Sequence, residues 1–306
     1  MVSGAVDVKV SFFGLGVGIL IGLTGVGGGS LMTPLLLLFG GYTPSVAIGT
    51  DLAYGAITKT LGGWRHLRAG NVDVRLSKWL AFGSVPGSIL GVVTLQFLSD
   101  HYGDDFIPTL LVFVAAALAL AASATLYRSL FRPGLAAKER KSATLQRRVS
   151  RLGTVGIGAT LGFVLGMTSV GSGALVGLAL ILLYKLQPRR VVGTDVFHAA
   201  AVMYAAAFAH LLYGNIDFGL MGTILIGSLP GVWIGTHLVP HVPVPALRTT
   251  LGAVLAAASL GVLSKAGADV PPVLIVIVPV AIGVFAFWLG RRRAASTAAA
   301  PVPAPT

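Results

Sequence analysis

The sequence predicts an all-α polytopic membrane protein built from two repeats, inverted relative to each other, and one extra C-terminal helix. Hydrophobic residues make up 55% of the chain and charged residues only 10%. Apolar runs of about 20 residues recur, which is the length that a helix needs to cross the hydrocarbon. These runs are continuous, whereas the strands of a membrane barrel would alternate apolar and polar residues. Helices are therefore the predicted spanning elements.

The third observation behind this fold class is an internal repeat with a fixed offset of 144 residues. Residues 22–91 align without a gap to residues 166–235, and 24 of the 70 positions are identical. The matches fall on motifs that apolar segments rarely share by chance. These motifs are Gly-Thr-Asp at 49–51 and 193–195, Gly-Asn-x-Asp at 70–73 and 214–217, and Gly-Ser-x-Pro-Gly at 83–87 and 227–231. A duplicated apolar unit interrupted by glycines is typical of secondary transporters.

The apolar segments follow in the same order in both repeats. They lie at 10–40, 44–64, 76–98, 106–127, 152–184, 188–213, 218–239, 247–264 and 271–290. The first segment of each repeat is too long for one ordinary crossing, and a glycine cluster interrupts it near its middle. We expect both long segments to be re-entrant hairpins of two half-helices, so that each repeat adds three full transmembrane helices.

The distribution of basic residues supports the hairpin in the second repeat. Eight of the 22 Lys and Arg lie in 128–151, which the positive-inside rule assigns to the cytoplasm. If 152–184 dips into the membrane and returns, 19 of the 22 become cytoplasmic; a single crossing would leave several of them outside. The hairpin at 10–40 is inferred from the repeat. Three full crossings per repeat then make the two halves inverted.

These boundaries predict five units along the chain. They are a first repeat (1–127), a basic cytoplasmic linker (128–151), a second repeat (152–264), an extra transmembrane helix (265–293) and a disordered Ala/Pro-rich tail (294–306). The net charge of +12 fits lipid head groups rather than nucleic acid, because the basic residues lie in short loops next to the membrane. We predict no cofactor, a multi-pass location in the cell (inner) membrane, and a chain that can form homo-oligomers.

The glycine clusters are candidate anion sites. Where one half-helix ends and another begins, small residues let backbone N–H groups turn toward one point, and a helix N-terminus favours negative charge there. The predicted substrate-binding residues are Gly27, Gly28, Gly29, Ser30, Gly171, Ser172 and Gly173. Close helix packing is the alternative role for such residues. We expect Gly18→Ala, one half-helix earlier, to be mild.

Charged and titratable residues inside the apolar helices complete the candidate site. An intramembrane carboxylate is costly, so Asp51 and Asp195 are predicted proton carriers or organisers of the hinges, with helix capping as the alternative. Lys59 is a candidate counter-charge for an anion, although it could also reach to the cytoplasmic face. The remaining candidates are Thr50 and Thr194 for substrate binding, and His198 and His210 for proton relay or packing.

These motifs resemble the sulfite exporter TauE/SafE family of membrane permeases. The resemblance rests on Gly-x-Gly-Gly-Gly-Ser, on Ala-x-Gly-Thr-Asp at 47–51, on the Gly-Asn-x-Asp turns and on the duplicated layout, and it covers roughly residues 10–290. It implies transport of sulfur-containing anions such as sulfite, sulfoacetate or thiosulfate. It matches the three glycines 27–29, Gly171, Gly173, and the Thr-Asp pairs of both repeats.

The sequence therefore predicts a secondary transporter of small anions, driven by the proton gradient or the membrane potential. A passive anion channel is one alternative. An intramembrane enzyme is another, but no Ser/His pairing is evident in the sequence, and only His198 with Asp195 comes near an acid–base pair. We expect no enzymatic activity.

Overall fold

The computed structural model describes residues 8–24, 29–130, 149–238 and 244–298. These residues form helices and contain no strand, which confirms the predicted all-α class for the described part of the chain. The helices are α1 (Val8–Thr24), α2 (Gly29–Leu38), α3 (Pro44–Arg68), α4 (Val74–Tyr102), α5 (Phe106–Leu130), α6 (Arg151–Thr168), α7 (Leu175–Leu182), α8 (Pro188–Leu212), α9 (Phe218–Leu238), α10 (Val244–Lys265) and α11 (Pro272–Ala298).

Local sequence explains where equivalent helices start. Pro44 and Pro188 occupy the first turns of α3 and α8, where proline's missing N–H costs no hydrogen bond. Asp73 accepts a hydrogen bond from the N–H of Leu76 and so caps α4, and Asp217 does the same for α9 through Leu220. The repeated Gly-Asn-x-Asp motif is therefore a turn that ends one helix and starts the next.

Among the described residues, six helical stretches are long and apolar enough to cross a membrane. They are Val74–Leu130, which holds α4 and α5, then Arg151–Thr168, Arg189–Leu212, Phe218–Gly235, Ala246–Lys265 and Pro272–Leu289. Helix α3 is not among them, although its 25 residues are enough to span, because charged residues and glycines lower its hydropathy. The chain is a multi-pass membrane protein.

Both long segments fold back on themselves. The ring of Phe13, near the start of α1, lies 5.9 Å from the ring of Phe39, just after the end of α2. In the second repeat the hydroxyl of Tyr184, after α7, donates a 2.9 Å hydrogen bond to Thr154, in the first turn of α6. The two ends of each long segment therefore lie close together, while a re-entrant path in the membrane stays a prediction.

The two repeats exchange equivalent contacts. Helix α1 packs on α9 as α4 packs on α6, while α3 packs on its own equivalent α8, and α5 on α10. Gly55 lies against Met203 and Gly62 against Val196, so α3 and α8 run antiparallel. Equivalent helices of the two repeats thus meet as an antiparallel pair, and the inversion of the repeats in the membrane stays a prediction. The sidedness of each helix in a membrane stays a prediction.

The structure differs from three expectations drawn from the sequence. A Cβ on Gly18 would collide with the backbone of Ser228, so Gly18→Ala is not expected to be mild. Arg128, assigned to the linker, belongs to the last turn of α5. Helix α11 continues to Ala298, into the stretch expected to be disordered.

Candidate functional site

The hinge between α6 and α7 has a backbone conformation that only small residues adopt easily. The φ angles of Ser169 and Gly173 are 59° and 88°, in the left-handed region, and that of Gly171 is 151°. This hinge lies against α3. The corresponding hinge between α1 and α2 includes Gly27 and Gly28, which lie outside the described residues.

Asp51 ties both hairpins to α3. Its Oδ2 accepts hydrogen bonds from the N–H of Thr33 at 3.2 Å, from the hydroxyl of Thr33 at 2.5 Å and from the hydroxyl of Ser169 at 3.0 Å. Thr33 belongs to α2 and Ser169 to the second hinge. The side chain is fully buried. Thr43 lies at the N-cap of α3, so Asp51, about two turns further on, does not cap its own helix but joins three parts of the molecule.

Asp195, the repeat equivalent of Asp51, has a different environment. The backbone N–H of Gly173 in the second hinge and the charges of Lys59 and Arg128 lie near its carboxylate. Its Oδ1 is buried and has no hydrogen-bond partner among the described residues. Asp195 therefore lies where the sequence predicted a bound anion.

Lys59 lies in the interior. It is only 5% exposed, and its ammonium group donates a 2.8 Å hydrogen bond to the hydroxyl of Ser172. It therefore does not reach to a membrane face in this structure. The predicted counter-charge and the predicted hinge serine are thus brought together.

The His198 ring contacts a serine that sequence reasoning did not single out. Its Nε2 shares a 2.7 Å hydrogen bond with the hydroxyl of Ser84, on α4. These two side chains and Ser172 line a small cavity with room for about one water molecule. No Ser/His pairing is evident in the sequence, but the structure brings this serine and this histidine together. Nδ1 of His198, however, has no partner in the described part of the chain, so no acid orients this pair.

His210 lies apart from this group of polar side chains. Its Nε2 is 3.4 Å from the carbonyl oxygen of Gly166, and its Nδ1 is 3.5 Å from the side-chain amide of Asn215. The ring also packs against Gly49. These partners favour the packing role that the sequence left open for His210 over a proton relay.

The hydroxyls of Thr50 and Thr194 bond to the backbone rather than face a cavity. The hydroxyl of Thr50 accepts a 3.0 Å hydrogen bond from the N–H of Asp217, and that of Thr194 accepts a 2.9 Å bond from the N–H of Asp73. Each threonine therefore fastens its own repeat to the Gly-Asn-x-Asp turn of the other. The sequence signal for this contact is that the Gly-Thr-Asp and Gly-Asn-x-Asp motifs both recur at the same offset of 144 residues.

The first hinge is described only from Gly29, where α2 begins. Ser30 is buried, and its hydroxyl has no hydrogen-bond partner among the described residues. Of the predicted substrate-binding residues, Ser172, Gly173 and Lys59 thus lie together with Asp195 and His198. The described ranges contain no group of three or more His, Cys, Asp or Glu that could hold a metal ion.

Comparisons with known proteins agree with the architecture. A family profile described as "Sulfite exporter TauE/SafE" matches residues 10–262. The chain is 38% identical to the "Probable membrane transporter protein YjnA" of Bacillus subtilis over 77% of its own length and 91% of the relative. It is 24% identical to YdhB, over 74% of the chain and 88% of the relative. It is 31% identical to YtnM, over 73% of the chain and 73% of the relative. Both are further probable membrane transporter proteins of B. subtilis. No solved structure matches.

Proposed function

The chain belongs to the sulfite exporter TauE/SafE family and is a membrane transporter, and from this premise we propose that it moves small sulfur-containing anions across the cytoplasmic membrane as a secondary transporter. Sulfite, sulfoacetate and thiosulfate are the proposed substrates. The proton gradient is the proposed driving force, and membrane lipids are the remaining partners.

The buried ammonium group of Lys59 is the observation that carries this proposal. A cation inside a membrane protein is costly unless it faces an opposite charge, and such residues commonly lie on the path of a transported ion. Lys59 lies at the second hinge, where Ser172 and the N–H of Gly173 supply further donors. An ammonium group and a hydroxyl that lie together, next to the amide N–H of the following residue, suit the oxygens of a sulfur oxyanion.

The two carboxylates support proton coupling. Asp51, Asp195 and Lys59 are all at most 5% exposed. With both aspartates ionised, these three residues carry a net charge of −1 before any anion arrives. An anion entering this region meets less repulsion if a proton enters with it. We therefore propose that Asp51 and Asp195 belong to the coupling machinery.

Sealed proteoliposomes test the function. We expect labelled thiosulfate or sulfite to accumulate against its own gradient when a pH gradient is imposed, and a Lys59→Met variant to accumulate much less. Downhill flux alone would instead identify a passive channel. Chemical conversion of the anion would identify an enzyme, for which Ser84 and His198 would be the first residues to test.

A further inference from the structure

We propose that the small cavity lined by Ser84, Ser172 and His198 is a subsite for one oxygen atom of the transported anion, held by the hydroxyl groups of the two serines. This inference rests on the proposed anion transport, and it adds residues of α4 and α8 to the site at Lys59. Ser84 contacts the anion in this arrangement, and His198 positions Ser84.

The cavity is buried and has two kinds of wall. Ser84, Ser172 and His198 are each at most 4% exposed, and they come from α4, from the second hinge and from α8. The other walls are formed mainly by the apolar side chains of Leu161, Leu165, Val176 and Val202. The room for about one water molecule also suits one oxygen atom of an anion, because the two have a similar size.

The hydroxyl of Ser172 has a proton to give to such an oxygen. The ammonium group of Lys59 can only donate, so Ser172 is the acceptor in the 2.8 Å hydrogen bond between them. A serine hydroxyl that accepts through a lone pair still carries its own proton. No acceptor within the described ranges takes this proton. Ser172 is therefore a free donor next to a positive charge.

The pair of Ser84 and His198 also keeps one donor unused. If Nε2 of His198 carries the ring proton, it donates the 2.7 Å hydrogen bond, and the hydroxyl proton of Ser84 has no acceptor among the described residues. If Nδ1 carries the ring proton instead, Nδ1–H is the unused donor, because that atom is buried without a partner in the same ranges. Either way a buried donor is left unsatisfied, which is costly. The subsite takes the first tautomer, in which both serines donate to one bound oxygen.

An anionic oxygen suits this cavity better than a water molecule does. Hydrogen bonds to a charged oxygen are about twice as strong as those to a neutral one. A water molecule also brings two protons of its own, for which the apolar side chains of the other walls offer no acceptor. An oxyanion brings none, and the ammonium group of Lys59, one hydrogen bond away from the cavity, supplies the opposite charge.

The donors of this site occur only once in the duplicated chain. Gly28 stands at the position equivalent to Ser172, and Tyr54 at the position equivalent to His198. Glycine has no hydroxyl, and tyrosine has a larger side chain than histidine. Lys59, in turn, has no basic equivalent in the second repeat. Residues that differ between the repeats thus come together around one cavity, as the binding of a single anion requires.

The rest of the anion binds beside the cavity, on the Lys59 side of Ser172. Ser172 lies between Gly171 and Gly173, whose φ angles of 151° and 88° are in the region that favours glycine. Because these neighbours restrict the backbone little, the hydroxyl of Ser172 can turn away from Lys59. The anion then takes the ammonium group while one of its oxygens stays in the cavity.

Thiosulfate binding to the purified full-length protein in detergent, measured by calorimetry, tests the proposal. For Ser84→Ala we expect affinity about tenfold weaker than for the wild type, because one hydrogen bond to a charged oxygen is lost. Ser84→Cys is the second variant in case the alanine does not fold, and its weak S–H donor should also lower the affinity.

Ser88→Ala is the matched control. Ser88 lies one turn later on α4, is equally buried, and donates its hydroxyl proton to the carbonyl of Val85 in its own helix. It does not line the cavity. The variant should therefore bind thiosulfate as the wild type does.

A double-mutant cycle tests the positioning role of His198. His198→Met alone should weaken thiosulfate binding by about fivefold, because Ser84 loses the partner that orients it. Combined with Ser84→Ala, the same substitution should cause no further loss, since His198 acts on the anion only through Ser84. Losses that add up in the double variant would contradict this role.

The outcomes separate the inference from the proposed function. Unchanged affinity in Ser84→Ala and Ser84→Cys would mean that the cavity holds a structural water only; the inference would be overturned and anion transport left standing. An equal loss of affinity in Ser88→Ala would assign the effect to the packing of α4 and overturn it as well. Absence of thiosulfate binding in the wild type and in every variant would overturn the proposed substrate class, and the inference with it.

Discussion

Helices α3 and α8 begin at equivalent prolines and carry the same Gly-Thr-Asp motif, yet they differ one and two turns later. Tyr54 of α3 corresponds to His198 of α8, and Lys59 corresponds to Met203. His198 bonds Ser84, whereas the hydroxyls of Tyr54 and of the equivalent Ser228 have no hydrogen-bond partner among the described residues. Lys59, in contrast, bonds the second hinge, whereas Met203 packs against Gly55.

This comparison separates the residues that hold the repeats together from those that carry chemistry. Contacts between the repeats are exchanged in pairs, as the threonine hydroxyls and the turn amides show. A duplicated framework needs such pairs to be alike. A site that binds one anion needs one ammonium group, because a second buried lysine would add a second desolvation cost. The asymmetric positions are therefore where we place the transport machinery.

The largest expected effect concerns the orientation of the repeats. Single cysteines introduced as Arg140→Cys and Gln187→Cys should both react with a membrane-impermeant maleimide from the cytoplasmic face, because the hairpin at 152–184 returns to its starting side. The chain has no native cysteine, so each label reports one position. Labelling from opposite faces would contradict the inverted arrangement in the membrane.

The next prediction concerns the difference between Lys59 and its equivalent Met203. Lys59→Met gives the first repeat the residue that the second repeat carries at the equivalent position. Anion transport in proteoliposomes should fall by about tenfold to a hundredfold, since a hydrogen-bonded charge is lost from the site. Lys78→Met, at an exposed position of α4, is the matched control and should transport normally. Normal transport by Lys59→Met would place the anion elsewhere.

The sequence was sufficient to predict the all-α membrane class, because that class depends on patterns that can be recognised without knowledge of the tertiary contacts. Apolar run length, the basic linker and the glycine clusters each reflect the cost of placing polar groups in lipid. The same cost marked Asp51, Asp195 and Lys59 as candidates. Which hinge each of them faces depends on how α3 packs, and no local pattern contains that information.

Two groups of residues show where sequence reasoning ended. Thr33 and Ser169 bond Asp51 from distant segments, so only the packed structure brings them together. Ser84 and His198 meet in the same way. The motif that contains Thr50 and Thr194 can be recognised in the sequence, but the role of these threonines cannot. A motif repeated within the chain does not show whether a hydroxyl faces substrate or backbone.

A smaller effect tests the symmetric packing between the repeats. Gly18 and Gly162 are equivalent, and a Cβ on either would collide with the backbone of the equivalent serines 228 and 84. Each substitution to alanine should lower the unfolding free energy by about 1–3 kcal/mol, as overpacking does. Gly16→Ala and Gly156→Ala are the matched controls, because a Cβ there meets no atom within 4 Å. Thermal unfolding in detergent would show the difference, and equal effects at all four glycines would contradict the packing.

The smallest effect concerns the exchanged threonine bonds. Thr50→Val and Thr194→Val should each cost about 1 kcal/mol of stability, because a buried turn amide loses its acceptor while the side-chain volume is kept. The bonds are 3.0 Å and 2.9 Å long and link the same motifs in opposite directions, so the two costs should be similar. Anion affinity should not change, since neither hydroxyl faces the hinge donors. A variant that stays as stable as the wild type but binds thiosulfate less tightly would return that threonine to the substrate site, as the sequence had suggested.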